Sequence, residues 1–178
     1  WYIREHRLND AYVVLQQIPD SFYEQDPYDY YIGGDPFYLD VHNAHPISKE
    51  EKRDLNKKEV IREMLRLEQL AKTDRSKSAE CYYQLGNAWY NMTYYGKNWL
   101  MVKQWWSVNE PYFDDAQKVV NSNKDYYGCL QAKKYYEKAF SGTKDRKLAA
   151  LCFYLAEICN ENYKNYMEDT DIQYAAHG

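Results

Sequence analysis

The chain has 178 residues, enough for one domain with a sizeable core, and its 45% hydrophobic and 28% charged residues are typical of a globular protein rather than a disordered one. Its formal net charge of -4 provides no overall electrostatic attraction to nucleic acid, so DNA and RNA are not expected partners. No apolar run approaches the roughly 20 residues that a membrane-spanning helix needs.

The first part of the sequence predicts a helix followed by a long loop. Apolar residues at spacings of about 3.6 indicate a helix over residues 2–18, which Pro19 ends. No signal peptide is visible, and a chain that opens inside a helix is expected to be a piece of a longer protein. Prolines and a Gly-Gly pair interrupt residues 19–47, so this segment is predicted to be an aromatic loop that packs onto the helices.

Two capping patterns compete for the start of the next helix. Ser48 with Glu51 forms an S-x-x-E capping box, whereas Asn56 with Glu59 offers a second start further along the chain. The apolar periodicity continues to about Ala71. Residues 73–78 are then predicted to form a short polar turn.

The most aromatic helix is predicted over residues 78–95, which read SAECYYQLGNAWYNMTYY. Its interior contains Gly86, which costs about 1 kcal/mol relative to Ala in a helix. A helix that keeps such a glycine is expected to have a close neighbour at that point, and an antiparallel helix is the natural candidate. Gly96 is predicted to end the helix.

The remaining segments are predicted helices separated by short polar turns. They comprise a short tryptophan-rich helix at 97–107, a helix from Asn109 to about Val120, a turn at 121–124, a helix at 125–140, a turn at 141–145, a helix at 146–163 and a polar, frayed tail at 164–178. No segment shows the alternation of a β-strand. The sequence therefore predicts an all-α fold with about six to seven helices.

The stretch AECYYQLGNAWY, at residues 79–90, resembles the first helix of a tetratricopeptide repeat. Tyr82 takes the bulky position of the family, Leu85 and Gly86 take its Leu-Gly pair, and Trp89 takes its aromatic position. In such repeats small residues let paired helices touch, and large residues fill the gaps between pairs.

Three further stretches resemble other helices of the same repeat. Residues 132–140 resemble its second helix through Ala132, Tyr136 and Ala139, residues 149–159 resemble another first helix with Leu155 and Ala156 in place of Leu-Gly, and residues 10–19 resemble a second helix that ends in proline. The usual period of about 34 residues is not kept, because the loop at 19–47 and an aromatic insertion at 96–124 interrupt it. The resemblance implies one divergent domain over residues 1–178, a short α-solenoid of α-hairpins.

Within that family the first helices line a concave groove that receives peptides or partner proteins. Carried over by register, the groove residues of this chain would be Tyr83, Asn87, Tyr90, Asn91, Phe153, Glu157 and Asn160. Tyrosine and asparagine suit adaptable recognition, because they combine contact area with hydrogen bonding. The alternative is that these residues pack against the extra loops, which would then fill the groove. A clamp for a C-terminal carboxylate is not expected, since Tyr83 stands where a lysine is needed.

Candidate chemistry is sparse, and no catalytic residue, metal or cofactor is predicted. His42 and His45 form an H-x-x-H pair near Asp40, but no further zinc ligand is set by the pattern. The aspartates at 26, 29, 35 and 40 lack the spacing of a calcium loop. The four cysteines, Cys81, Cys129, Cys152 and Cys159, are expected to be small buried apolar residues, although a disulfide whose pairing the sequence does not reveal stays open. A glycosylation sequon, Asn91-Met92-Thr93, falls in the predicted helix.

The functional prediction is a non-enzymatic scaffold that binds a protein or peptide. Two alternatives stay open: a glycan-binding helical module of the type found in outer-membrane starch-utilisation proteins, with Trp99, Trp105 and Trp106 as stacking rings, and a purely structural spacer. The 21 tyrosines fit either wide, half-buried helix interfaces or an adhesive surface. This aromatic style is also similar to helical proteins of the Bacteroides-type cell envelope, which implies a periplasmic or cell-surface location.

Overall fold

A computed structural model describes residues 1–25, 35–39, 54–103 and 121–177. Helix accounts for 70% of this part of the chain, and no strand occurs in it. Its seven α-helices are Leu8–Leu15 (α1), Asp20–Tyr23 (α2), Lys57–Thr73 (α3), Ser78–Asn91 (α4), Asn121–Gly128 (α5), Leu130–Gly142 (α6) and Arg146–His177 (α7), with a 3₁₀ turn at Trp99–Met101. The predicted all-α fold is therefore confirmed.

The first helix is shorter than the periodicity predicts. α1 spans Leu8–Leu15, because His6 adopts a positive φ of 56° and interrupts any helix that begins earlier. The ring of His6 lies 4.8 Å from that of Trp89, and its Nε2 lies 2.9 Å from the Asp125 carboxylate. Ile3 is still buried, as its apolar register requires. Contacts with distant parts of the chain therefore override the local helical pattern here.

The start of α3 is set by the second of the two predicted caps. Asn56 Oδ1 accepts a hydrogen bond from the Glu59 backbone N–H at 3.0 Å, and Glu59 Oε2 accepts one from the Asn56 backbone N–H at 3.0 Å. This reciprocal pair satisfies two backbone donors that a helix start leaves unpaired. The competing Ser48–Glu51 cap lies outside the described residues.

The described core is built around α4. α3 packs on one side of α4 and α6 on another, α7 packs on α6, α1 packs on α3, and α5 packs on α7. α4 and α6 run antiparallel, because Ala79 near the start of α4 meets Gly142 at the end of α6, while Thr93 just after α4 meets Cys129 just before α6.

The predicted close approach at Gly86 is confirmed, and α6 makes it. A Cβ atom at Gly86 would lie 2.5 Å from the ring of Tyr136, which is fully buried. Such a distance is far below van der Waals contact, so only glycine fits at this position. The large ring on one helix therefore fills the gap that the missing side chain leaves on the other.

The C-terminal helices differ from the prediction in their breaks. Residues 121–124 belong to α5 rather than to a turn, and the predicted single helix at 125–140 is divided at Cys129, which has a positive φ of 54°. α7 also continues through the tail that was predicted to fray. One reason is Tyr166, which is buried and stacked on Tyr127 with ring centroids 5.8 Å apart.

The aromatic insertion is described only in part. Of the predicted helix at 97–107, the structure has the 3₁₀ turn at Trp99–Met101 instead of an α-helix, while residues 104–110 lie outside the described part. The predicted helix from Asn109 to Val120 likewise lies outside it. Trp99 is half-buried and packs against a cluster formed by Tyr126, Tyr127 and Tyr166.

Candidate functional site

The predicted groove residues fall on two helices whose surfaces differ in accessibility. On α4, Asn87 and Asn91 are 1% and 3% exposed, and Tyr83 and Tyr90 are half-buried. On α7, Phe153 is 54% exposed, Glu157 is exposed and Asn160 is half-buried. The predicted surface is therefore divided into a covered part on α4 and an open part on α7.

The covered part of α4 holds a segment of the same chain, residues 35–39, which we call the strap. Asn87 Nδ2 donates a hydrogen bond to the Phe37 carbonyl at 2.9 Å. Asn91 Nδ2 donates to the carbonyls of Pro36 and Tyr38, each at 2.8 Å. The two asparagines lie four residues apart, so they project from the same side of the helix. At Asn87 and Asn91, therefore, a segment of the long loop covers predicted groove residues, which is the alternative given in the sequence analysis.

The orientation of the Asn87 amide is set by a residue of α6. The Tyr136 hydroxyl donates to Asn87 Oδ1 at 3.0 Å, which directs the Nδ2 group towards the strap. Burial raises the pKa of Tyr136 well above its usual range, so this hydroxyl keeps the proton that it donates. The same Tyr136 ring fills the gap above Gly86. A single buried tyrosine thus both joins the helices and orients the amide.

The strap contributes apolar side chains as well as main-chain carbonyls. Pro36 is fully buried and Phe37 is nearly so, whereas Tyr38 is 40% exposed. Asp35 Oδ1 accepts a hydrogen bond from the Phe37 backbone N–H at 3.0 Å, which shapes the turn that inserts these residues. Because the Asn91 amide is buried against the strap, the sequon at 91–93 is inaccessible to a glycan in this fold.

Tyr83 and Tyr90 are half-buried and pack against neighbouring helices of the core. The Tyr83 ring lies 6.4 Å from that of Tyr136, centroid to centroid. Burial raises the pKa of Tyr90 to about 12, and its hydroxyl interacts with the Asn162 side chain of α7. Tyr90 therefore links α4 to α7.

The open part of the surface includes an aromatic pair. The rings of Phe140, on α6, and Phe153, on α7, lie 5.9 Å apart with 47° between their planes. Phe140 is 46% exposed, and Tyr154 beside Phe153 is also exposed. On the same helix Asn160 Nδ2 donates to Glu157 Oε1 at 3.0 Å. Sequence reasoning missed Phe140, because its exposure depends on how α6 and α7 pair rather than on any motif.

Most of the candidate metal ligands do not belong to the part of the chain that the structure describes. His42, His45 and Asp40 lie outside the described residues, as do two of the other three aspartates. Asp35 is described, and its carboxylate shapes the strap. Within the described ranges no group of three His, Cys, Asp or Glu side chains is placed to hold a metal ion. Of the three candidate glycan-stacking rings, only Trp99 is described.

The four cysteines are buried and free, as the prediction of small apolar residues requires. Burial raises the pKa of Cys81, and it raises that of Cys152 to about 11. The pKa of Cys159 is raised by its hydrogen bond with Cys129 and by burial. These three groups stay protonated at neutral pH, so they are poor nucleophiles.

A small cavity that is partly open to solvent lies between the N-terminal residues and α4, and His6, Trp89, Thr93 and Asp125 are among the residues that line it. Its volume of about 20 Å³ is room for about one water molecule. A site for a drug-sized ligand is larger by more than tenfold, with volumes of about 300 Å³ and above. This cavity is therefore too small to be a substrate site.

None of the helices in the described part of the chain combines the length and the apolar character that crossing a bilayer requires.

In comparisons with protein-family models, with curated proteins and with solved structures, no match to this chain was found. The site itself must therefore support any functional proposal.

Proposed function

We propose that this domain is a non-enzymatic, tetratricopeptide-like scaffold that binds a protein or peptide through an open surface on α6 and α7. We call this surface the α7 face, and its residues are Phe140, Phe153, Tyr154, Glu157 and Asn160. The observation that carries the proposal is the Phe140–Phe153 pair, whose rings are in contact yet 46% and 54% exposed. Paired exposed aromatics on a folded surface are typical of interaction sites.

The opposite side of α7 supports this proposal, because it anchors the helix. Cys152, Leu155, Ala156 and Cys159 are buried in the core, so the exposed side chains project from a backbone that is already ordered. Binding of a partner would then cost little conformational entropy, because the surface that it contacts is already ordered. Glu157 and Asn160 add polar groups at the margin of the aromatic pair.

The packing of the small residues supports the likeness to a tetratricopeptide repeat. Gly86, Ala132, Ala139 and Ala156, which take small positions in that resemblance, are all buried. α4 and α6 form an antiparallel pair, and α7 packs on α6. These contacts are those that small positions serve in a repeat of α-hairpins.

Selection of displayed peptides against the full chain tests the proposal. Peptides that bind wild type would be measured against the double variant Phe140→Ser/Phe153→Ser by calorimetry. We expect affinity to fall at least about tenfold, the change that loss of an anchor worth about 1.4 kcal/mol produces. The matched control is Val13→Ser/Val14→Ser, which alters two exposed apolar residues of α1 and should leave affinity unchanged.

Two outcomes would contradict the proposal. Selected peptides that bind the phenylalanine variant as tightly as wild type would place the contact elsewhere. If no peptide is enriched, the result would favour the spacer alternative, and retention of the chain on a glycan array would then favour the glycan-binding one. Circular dichroism would first show that each variant keeps the helical content of the wild type.

A further inference from the structure

The strap is held in the way that a bound peptide is held. Its carbonyls at residues 36, 37 and 38 accept hydrogen bonds from two side-chain amides of α4. Contacts to main-chain carbonyls do not depend on the identity of the side chains that the segment carries. Two apolar side chains, Pro36 and Phe37, insert beside the amides and supply the part that depends on sequence.

We propose that the amide face of α4 is a peptide-binding site that the strap occupies in cis, and that it accepts in trans a peptide with the same Pro-aromatic turn. We define the amide face as Asn87 and Asn91 with the supporting Tyr136. It is distinct from the α7 face, and the proposal does not rest on the function assigned to that face.

The amide face is prepared by residues outside the strap. Tyr136 orients the Asn87 amide, and the close fit of Gly86 against the Tyr136 ring sets the position of α4 relative to α6. These contacts remain when the strap leaves, because they join α4 to α6 only. A site organised before its ligand arrives loses less entropy when it binds.

Any segment that covers the amide face has to supply hydrogen-bond acceptors for its two amides. Asn87 and Asn91 are 1% and 3% exposed beneath the strap, so their Nδ2 groups need acceptors for as long as the strap, or a peptide in its place, excludes water from them. A peptide that supplies two or three successive carbonyls meets that need in the same geometry as the strap. Proline suits the first position, because its restricted φ favours the turn that the strap forms there and it has no N–H to leave unpaired.

The first experiment uses a fluorescent peptide with the sequence of residues 33–41 and the full chain carrying Phe37→Ser. This substitution weakens the strap in cis while leaving the amide face unchanged. We expect saturable binding in fluorescence anisotropy, at least tenfold tighter than to wild type, in which the intact strap competes. Adding Asn91→Leu to the same protein should abolish binding, as should a serine at the phenylalanine of the peptide.

A Phe37→Ser chain that keeps its helical circular dichroism but binds no peptide would overturn the proposal, since the strap would then be a permanent part of the core. The Phe140→Ser/Phe153→Ser substitutions should leave this binding unchanged, which separates the amide face from the α7 face. If Phe37→Ser does not fold, amide hydrogen exchange of the wild-type protein tests the proposal instead. Exchange of the backbone amides of residues 37–39 by local opening, while those of α4 remain protected, is the expected result. If the strap and α4 exchange together, and only through global unfolding, the proposal is overturned.

Discussion

Asn87 and Asn91 are polar residues of α4 that the sequence analysis places with Tyr83 and Tyr90 in a groove, and both are nonetheless buried. Burial of an amide is tolerated only where its hydrogen bonds are made, and here the acceptors come from the strap, about fifty residues earlier in the chain. The partner of each amide is thus a main-chain carbonyl. No residue pattern marks a carbonyl in advance.

Replacing Asn87 by leucine should destabilise the protein. The substitution leaves the Phe37 carbonyl and the Tyr136 hydroxyl without the partners that they have now. Each buried group left unpaired costs about 1–3 kcal/mol, so we expect the free energy of unfolding in urea to fall by at least that amount. Asn160→Leu on α7, which removes an exposed hydrogen bond to Glu157, is the control and should change the free energy of unfolding by less than about 0.5 kcal/mol.

Gly86 is a second position in α4 at which a single substitution tests the packing against α6. Gly86→Val would drive side-chain atoms into the Tyr136 ring, where even a Cβ has only 2.5 Å. Overpacking of this kind costs about 1–3 kcal/mol, and we expect urea denaturation to report a loss of that size.

Gly142→Ala serves as the control for Gly86. Its Cβ would meet Ala79 at 3.9 Å, an ordinary contact, so the free energy of unfolding should be unchanged or slightly higher. If Gly86→Val were as stable as wild type, α4 and α6 would not be packed as closely as described.

The last helix shows how an element can extend beyond its own periodicity. Residues after 163 are polar in sequence, yet α7 continues to His177. Tyr166 contributes a buried ring that stacks on Tyr127, and Tyr163 lies within 2.6 Å of the place where a Cβ on Gly128 would be. α5 therefore supplies the apolar surface on which this part of α7 rests.

Tyr166→Ala should accordingly release the later turns of α7. Large-to-small substitutions of buried aromatic residues lower the free energy of unfolding by about 3–5 kcal/mol. Part of the helical circular dichroism signal should be lost as well, because these turns of α7 would no longer be held in place. Lys164→Ala, a neighbouring change at an exposed side chain, should alter neither quantity. Unchanged helicity in Tyr166→Ala would mean that α7 is stable without its contact to α5.

At the scale of the whole molecule, buried tyrosine hydroxyls make stability sensitive to high pH. Burial raises the pKa of Tyr83, Tyr136 and Tyr90, the last to about 12. The unfolded chain releases these protons near the ordinary tyrosine value of about 10. Between those values the folded state binds more protons than the unfolded state, so the free energy of unfolding falls as pH rises.

We therefore expect stability in urea to be independent of these groups below about pH 10 and to decrease above it. The ultraviolet absorbance of tyrosinate should rise together with unfolding rather than before it. Tyr90→Phe should reduce the slope of stability against pH, because it removes one of the groups responsible. A chain whose tyrosines titrate near pH 10 while it stays folded would contradict the burial described here.

Much of this architecture follows from local chemistry, which short sequence patterns carry. The helical class, the Asn56–Glu59 cap, the polar turn before α4, the close approach at Gly86 and the burial of the four cysteines were all predictable, because each depends on neighbouring residues or on amino-acid type. The helix breaks at His6 and Cys129 were not predictable. Neither is a glycine, and each is held in its conformation by contacts with other elements.

The sequence predicts that α4 is a helix, and the spacing of four residues between Asn87 and Asn91 puts their side chains on the same side of it. Which segment covers that side depends on tertiary packing, which places the strap there and leaves Phe140 and Phe153 exposed. The physical reason is that periodicity reports which side chains point the same way. Accessibility depends on which distant segment gains most by covering them.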